Sequence, residues 1–275
     1  MKIRYLGTAA AEGYPALFCR CPNCEEARKR GGRNIRTRSQ ALIDDELIID
    51  FPSDSYYHAV LNGFHFTDIH NYIFTHIHMD HCYPKDFLNL KEGYAHLAEG
   101  EANYNIYGSE DLIEMFADAK NTCGDRLVIN TLEPYKTYEI GNHKVTPMRA
   151  KHGTPHPYIY IIERDGKKLL YAHDTGTFTD ETWAYLEKEK PVFNFVSMDG
   201  TEGNKPELPY DHHMCIPRNV KVCEKLRELG LINDNTILCV NHFSHNGTDS
   251  LYEEMCEIGK AHGFIISYDG MEVEF

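Results

Sequence analysis

The chain has 275 residues, 42% of them hydrophobic and 25% charged, which suffices to bury a sizeable core in one large or two small domains. Its net charge of −14 opposes non-specific attraction to nucleic acid, whose binding is dominated by phosphate neutralisation. No apolar run approaches the roughly 18–20 residues of a membrane span, and Met1–Gly7 enters a strand-like pattern without a signal-peptide core, so a cytoplasmic protein is expected.

Lys2–Leu6 reads as a first strand, ending in the small residues of Gly7–Gly13. Cys19, Cys21 and Cys24 then form a CxCxxC knuckle around Pro22 and Asn23, suited to a tetrahedral zinc that lacks one ligand. A redox pair or plain buried thiols are the alternatives. The other cysteines (Cys82, Cys123, Cys215, Cys223, Cys239 and Cys256) are scattered singly, as reduced thiols would be. A helix over Glu25–Arg30 is followed by a hairpin of Ser39–Ile43 and Leu47–Asp50. Ser53 is expected to cap a helix through Tyr56–Leu61, and Asn71–Phe74 is a buried strand.

Directly after that strand stands Thr75-His76-Ile77-His78-Met79-Asp80-His81. In an extended segment His76 and His78 point to the same side, while Asp80 and His81 lie where the chain turns. The pattern reads as two adjacent metal sites, with zinc, manganese or iron suiting the donors. A chance His-rich loop is the competing reading, since the chain has 16 His.

Residues 83–104 read as a helical insert beside this cluster. Asn105–Gly108 is a short strand, and Ser109–Asp111 caps a helix through Ala119. Strands follow at Arg126–Ile129, Tyr135–Ile140, Lys144–Met148, Tyr158–Glu163 and Lys167–Tyr171. A helix from Thr179 or Asp180 to about Lys188 precedes the strand Val192–Ser197. A polar loop ends at Tyr210-Asp211-His212-His213-Met214. A helix near Pro217–Leu229, the strand Thr236–Val240, a helix over Ser250–His262 and a strand near Met271–Phe275 close the chain. The economical reading is one domain spanning 1–275, with two sheets rather than one.

His152, Asp174 and His242 each follow an apolar strand, as the first cluster does. Strand ends on one edge of a layered α/β protein converge in space and build a site. HxHxDH at 76–81, followed in order by His152, Asp174 and His242, resembles the metallo-β-lactamase superfamily. The resemblance implies an α/β four-layer αββα sandwich, two mixed β-sheets flanked by helices. It also implies two divalent ions: His76, His78 and His152 on one, Asp80, His81 and His242 on the other, and Asp174 bridging. The superfamily's di-iron flavoprotein branch places Glu where this chain has His78, so a hydrolytic branch fits better.

The CxCxxC knuckle, with His245 three residues past His242, resembles the PhnP branch of phosphodiesterases. That likeness makes Cys19, Cys21, Cys24 and His245 a structural zinc site. A branch linked to pyrroloquinoline quinone synthesis shares the knuckle but tends to lack the full catalytic set retained here. The implied function is hydrolysis of small or cyclic phosphodiesters by metal-activated water. His213 would be general acid or phosphate positioner and Asp199 its orienter; Asp80 is counted with them among the catalytic groups. His156, His173, Asp211 and His212 receive no role. The expected partner is a small phosphorylated substrate, with no membrane and no nucleic acid. The oligomeric state is open, a homodimer included. A thioester or lactam hydrolase, a tRNA 3′-processing nuclease, and a metal-binding scaffold without turnover are the alternatives.

Overall fold

A computed structural model describes residues 1–98, 100 and 102–275. Two seven-stranded sheets pack face to face. The first contains β1 (Lys2–Gly7), β2 (Gln40–Ile43), β3 (Leu47–Ile49), β4 (Asn71–Ile73), β5 (Tyr104–Gly108) and β6 (Leu127–Thr131), with β14 (Met271–Glu274) beside β1. The second runs from β7 (Tyr138–Ile140) through β8 (His143–Arg149), β9 (Tyr158–Arg164), β10 (Lys167–Ala172), β11 (Phe195–Asp199) and β12 (Ile237–Asn241) to β13 (Phe264–Ile266). Both sheets are mixed: their early pairings are antiparallel, and β3–β6 and β10–β13 pair in parallel.

The central strands β2, β3, β9, β11 and β12 are buried on both faces and read as near-continuous apolar runs, whereas β5 and the edge strand β14 alternate. Between the sheets, Ile3, Tyr5, Ile43 and Ile73 pack against Tyr160, Ile162, Leu169 and Phe195. Outside the second sheet, Val196, Met198 and Val240 are covered by α5 (Asp180–Glu189), α6 (Ile216–Glu228) and α7 (Tyr252–Ala261), through Trp183, Leu226 and Met255 among others. Outside the first sheet, Ile48, Tyr72 and Phe74 meet Phe87, Phe116 and Ala119. Helices α1 (Pro22–Arg30), α2 (Ser55–Asn62), α3 (Leu112–Met115) and α4 (Ala117–Cys123) complete the set. The expected four-layer αββα sandwich is therefore present. Among the described residues, no helix is long and apolar enough to cross a membrane.

Several local expectations need correction. Residues 83–104 form no α-helix among those described: Pro84–Leu90 is a 3-10 helix followed by irregular chain. Gly93 and Gly100 there adopt φ of 86° and 78°, conformations that end a helix. Glu99 and Glu101 of this segment lie outside the described residues. The helix expected through Ala119 breaks at Phe116, whose ring is fully buried against Phe74 and Phe87. Asp54, not Ser53, stands at the start of α2, and the Ser55 hydroxyl donates to the Pro52 carbonyl instead. β7 starts at Tyr138 rather than Tyr135. β11 is shifted towards Asp199, which pairs with Asn241 on β12. β13, three residues long, carries too short a pattern to read as a strand.

Candidate metal centre

The topology decides where the polar groups meet. β3 and β4 are parallel, as are β10, β11 and β12, so their carboxyl ends share an edge. β8 is antiparallel to β9 and β9 to β10, which brings the end of β8 to that same edge. Asp50, His76, His152, Asp174, Asp199 and His242 all lie at or just past these ends. Asp50, Asp174 and His242 have φ of 63°, 50° and 66°, a left-handed conformation uncommon for residues with a side chain. Such conformations concentrate at functional sites, where surrounding contacts over-determine them.

All seven side chains expected as metal ligands converge in two groups that share Asp174. In the first, His76 Nε2 lies 3.0 Å from His78 Nδ1 and 3.1 Å from Asp174 Oδ2, and His152 Nε2 lies 3.1 Å from His78 Nδ1. In the second, His81 Nε2 lies 3.2 Å from His242 Nε2, 3.3 Å from Asp80 Oδ2 and 3.4 Å from Asp174 Oδ2.

The outer ring nitrogens explain how these atoms are aimed. His81 Nδ1 donates to Asp50 Oδ2 at 2.7 Å, and His152 Nδ1 to the His212 carbonyl at 3.2 Å. His76 Nδ1 meets the Thr75 hydroxyl at 3.0 Å, and that hydroxyl donates to Asp50. His242 Nδ1 meets the Thr201 hydroxyl at 2.8 Å, which in turn donates to Asp199 Oδ2 at 3.0 Å. One assignment of protons satisfies the outer partners: each of these four rings carries hydrogen on Nδ1, which leaves Nε2 to face the other nitrogens and the carboxylates of its group. Committing the outer nitrogen in this way fixes tautomer and ring angle for metal ligation. Asp50, Thr75 and Thr201 were assigned no role from sequence. The strand-end rule that found Asp174 applies equally to Asp50 after Ile49 and would have flagged it.

In this cluster imidazoles and carboxylates shift one another: against the effect of its burial, Asp80 and Asp50 raise His81. Burial pushes His76 down to about 3, and the neighbouring His81 adds to this. Burial also works to raise Asp80 and Asp174, yet adjacent imidazoles, His81 for the first and His242 and His213 for the second, hold both below the usual carboxylate range. His213 moves the other way. Burial opposes its charge, but Asp174 Oδ1 at 3.1 Å and Asp199 Oδ2 at 3.6 Å raise it to about 10. The Asp174–His213 contact lacks hydrogen-bond alignment, so Asp174 Oδ1 is a buried oxygen without a partner, as a cation ligand would be. Asp199 accepts from the amides of Asp174, Thr201 and Met214. The cluster opens into a cleft of about 380 Å³, rimmed by Glu12, Glu202, Tyr210, His212 and Asn246.

The thiols form a separate group with His245. Cys19 Sγ and Cys21 Sγ each lie 3.5 Å from His245 Nδ1, and Cys24 completes a four-donor set. Pro22 opens α1 and Cys21 caps it, its sulfur accepting from the Cys24 amide at 3.5 Å. Burial works to raise the Cys21 thiol, but His245 and the Cys24 amide bring it down to about 6, whereas burial pushes the Cys24 thiol up to about 12. Asn23 donates to the carbonyls of His245 at 2.9 Å and Gly247 at 3.2 Å, tying the knuckle to the loop after β12.

Residues 59–232 match the family model described as the beta-lactamase superfamily domain. Among solved structures, the chain is similar to a diphosphatase of the PhnP family, at 19% identity over 100% of this chain and 98% of that one, with a TM-score of 0.74. It is similar to zinc-bound PqqB from Methylobacterium extorquens, at 19% identity over 100% of both chains and a TM-score of 0.75. It also resembles the short form of human tRNase Z, at 13% identity over 100% of this chain and 99% of that one, with a TM-score of 0.66. At these identities the likeness is one of fold. A stretch of 50 residues is 48% identical to coenzyme PQQ synthesis protein B of Azoarcus sp. (strain BH72), spanning 17% of this chain and 16% of that protein. The family match covers more than half of the sequence, and the fold agrees with it: the chain belongs to the beta-lactamase superfamily.

Proposed function

We propose that the chain is a binuclear metal-dependent phosphodiesterase acting on small or cyclic phosphodiesters. His76, His78 and His152 would hold one divalent cation, Asp80, His81 and His242 a second, with Asp174 between them. Zinc, manganese and iron all suit these donors, and Cys19, Cys21, Cys24 and His245 would hold a structural zinc. When bound, a pair of such ions supplies a nucleophile at neutral pH and neutralises charge developing on phosphorus. The chain's own residues do the rest. Asp50 and Thr75 fix His76 and His81, while Thr201 and Asp199 fix His242. His213 keeps Nδ1 towards Asp174, which leaves Nε2 to give its proton to the departing alkoxide.

The observation that carries this reading is the convergence of two ligand groups on Asp174 at one cleft, with the His213 imidazole in its wall and Nδ1 3.1 Å from Asp174 Oδ1. The thiol knuckle beside that cleft is common to the PhnP-like branch and the one linked to pyrroloquinoline quinone synthesis, and the complete set of seven cleft donors favours the first. A polyanionic RNA fits poorly: among the described residues lining the cleft there is no Lys or Arg, and the net charge is −14.

The test is hydrolysis of bis-p-nitrophenyl phosphate, a 2′,3′-cyclic nucleotide and a thioester, each with manganese or zinc. Turnover of the diesters is expected. Turnover of the thioester alone would replace the reading with that of a thioester hydrolase, and no turnover of any with full metal loading would favour a scaffold.

A further inference from the structure

Asp211 lies two residues before His213, and its carboxylate accepts from three separate segments. Oδ1 takes the Thr177 amide at 2.8 Å and Arg218 Nη1 at 3.2 Å, and Oδ2 takes the Thr177 hydroxyl at 2.6 Å and Lys151 Nζ at 2.5 Å. Lys151 adjoins His152, and Thr177 lies three residues past Asp174. Arg218, on α6, also donates to the carbonyls of His213 at 3.2 Å and Leu208 at 3.1 Å. The backbones touch as well: a Cβ on Gly176 would fall 2.3 Å from the Asp211 carbonyl oxygen.

An exposed ion pair such as Lys151–Asp211 alone would hold little. The amide and hydroxyl of Thr177 and the guanidinium of Arg218 make this carboxylate a clamp with fixed geometry. We propose that Asp211 is the positioning residue for His213: it locks segment 208–213 onto the loops that carry His152 and Asp174, and so sets the imidazole against the Asp174 carboxylate. The inference rests on reading His213 as proton donor to the leaving group. A positioned general acid matters most when the leaving group is a poor one.

The experiment compares two substrates in the metal-loaded protein. A 2′,3′-cyclic nucleotide expels an alkoxide that needs a proton, whereas bis-p-nitrophenyl phosphate expels a stabilised phenolate. At saturating metal, needed because the same segment carries the His212 carbonyl that meets His152 Nδ1, Asp211→Ala is expected to lower kcat on the cyclic nucleotide by about 10²-fold and on the phenyl ester by less than about threefold, with KM unchanged. The double variant Asp211→Ala/His213→Ala should be no slower than His213→Ala. Equal losses on both substrates, or additive effects in the double variant, would overturn the proposal. Should Asp211→Ala fold poorly, Asp211→Asn retains an acceptor for the Thr177 amide, loses the charge facing Lys151 and Arg218, and should show the same substrate bias in weaker form. Hydrogen exchange of the metal-loaded variant gives a reading independent of turnover: amides of 208–214 should exchange faster, while those of the two sheets do not. Unchanged exchange there refutes the clamp, whereas a wild-type protein inert on both diesters refutes the phosphodiesterase reading alone.

Discussion

Replacing Asp50 by Asn tests how the cleft is aimed without changing its volume. The Asp50 carboxylate is fully buried, accepts His81 Nδ1 at 2.7 Å through Oδ2, and accepts the Thr75 amide at 2.7 Å through Oδ1. Asn can keep the Thr75 contact and tolerates the left-handed backbone at this position. Its amide NH₂, however, would then face the N–H of His81. To escape that clash His81 must move its hydrogen to Nε2, the atom that faces Asp80 and His242. A hydrogen bond to a charged group is worth about 1.5–3 kcal/mol. That corresponds to roughly 10–160-fold in affinity for the ion of the Asp80–His81–His242 group, which overlaps the roughly 10–100-fold found for partners of metal-ligating histidines. Calorimetric titration of chelator-treated protein measures it directly. The second cleft equivalent should weaken by that factor, while the knuckle keeps its zinc. Unchanged affinity would refute the role given to Asp50 and the tautomer assigned to His81.

Cys21→Ala removes one of four knuckle donors. Zinc per chain should fall by one and the melting temperature should drop, and a wild-type protein without a third ion would contradict the knuckle assignment. His58 supplies a pH test away from any ligand. Burial pushes it down from 6.5 to about 4 against the opposing charge of Asp54, and both ring nitrogens are bonded, to Gln40 and Thr37. The unfolded chain therefore binds the proton more readily. Stability is full above about pH 6.5 and declines as the pH falls to about 4, by about 3 kcal/mol in total. Urea unfolding of His58→Gln should show a pH dependence weaker by that amount, and an identical dependence would refute it.

Much of the site was legible because its chemistry is local. His76, His78, Asp80 and His81 fall within six residues after one apolar strand, and His152, Asp174 and His242 each follow another. The supporting shell was not legible for the opposite reason. Asp50 reaches His81 across 31 residues, Thr201 reaches His242 across 41, and Asp211 reaches Lys151 across 60. Its place at a strand end marks Asp50 as a candidate, but nothing in the neighbouring sequence encodes which group each of these residues meets; the order of the strands in the two sheets creates the contacts. Element boundaries failed where burial overrode pattern, as at Phe116, or where the pattern was too short to count, as at β13. Residues 83–104 read as a helical insert, but Phe87, Leu88, Leu90 and Leu97 serve an outer apolar layer built on a 3-10 helix and irregular chain.

The central claim is that two cations held by this cleft hydrolyse phosphodiesters. Its most direct test is to strip the protein with a chelator, leave the knuckle zinc in place, and titrate manganese while following bis-p-nitrophenyl phosphate hydrolysis. Activity should rise with cleft occupancy and reach its plateau at two equivalents. Hydrolysis by the stripped protein, or none at full occupancy, would contradict it.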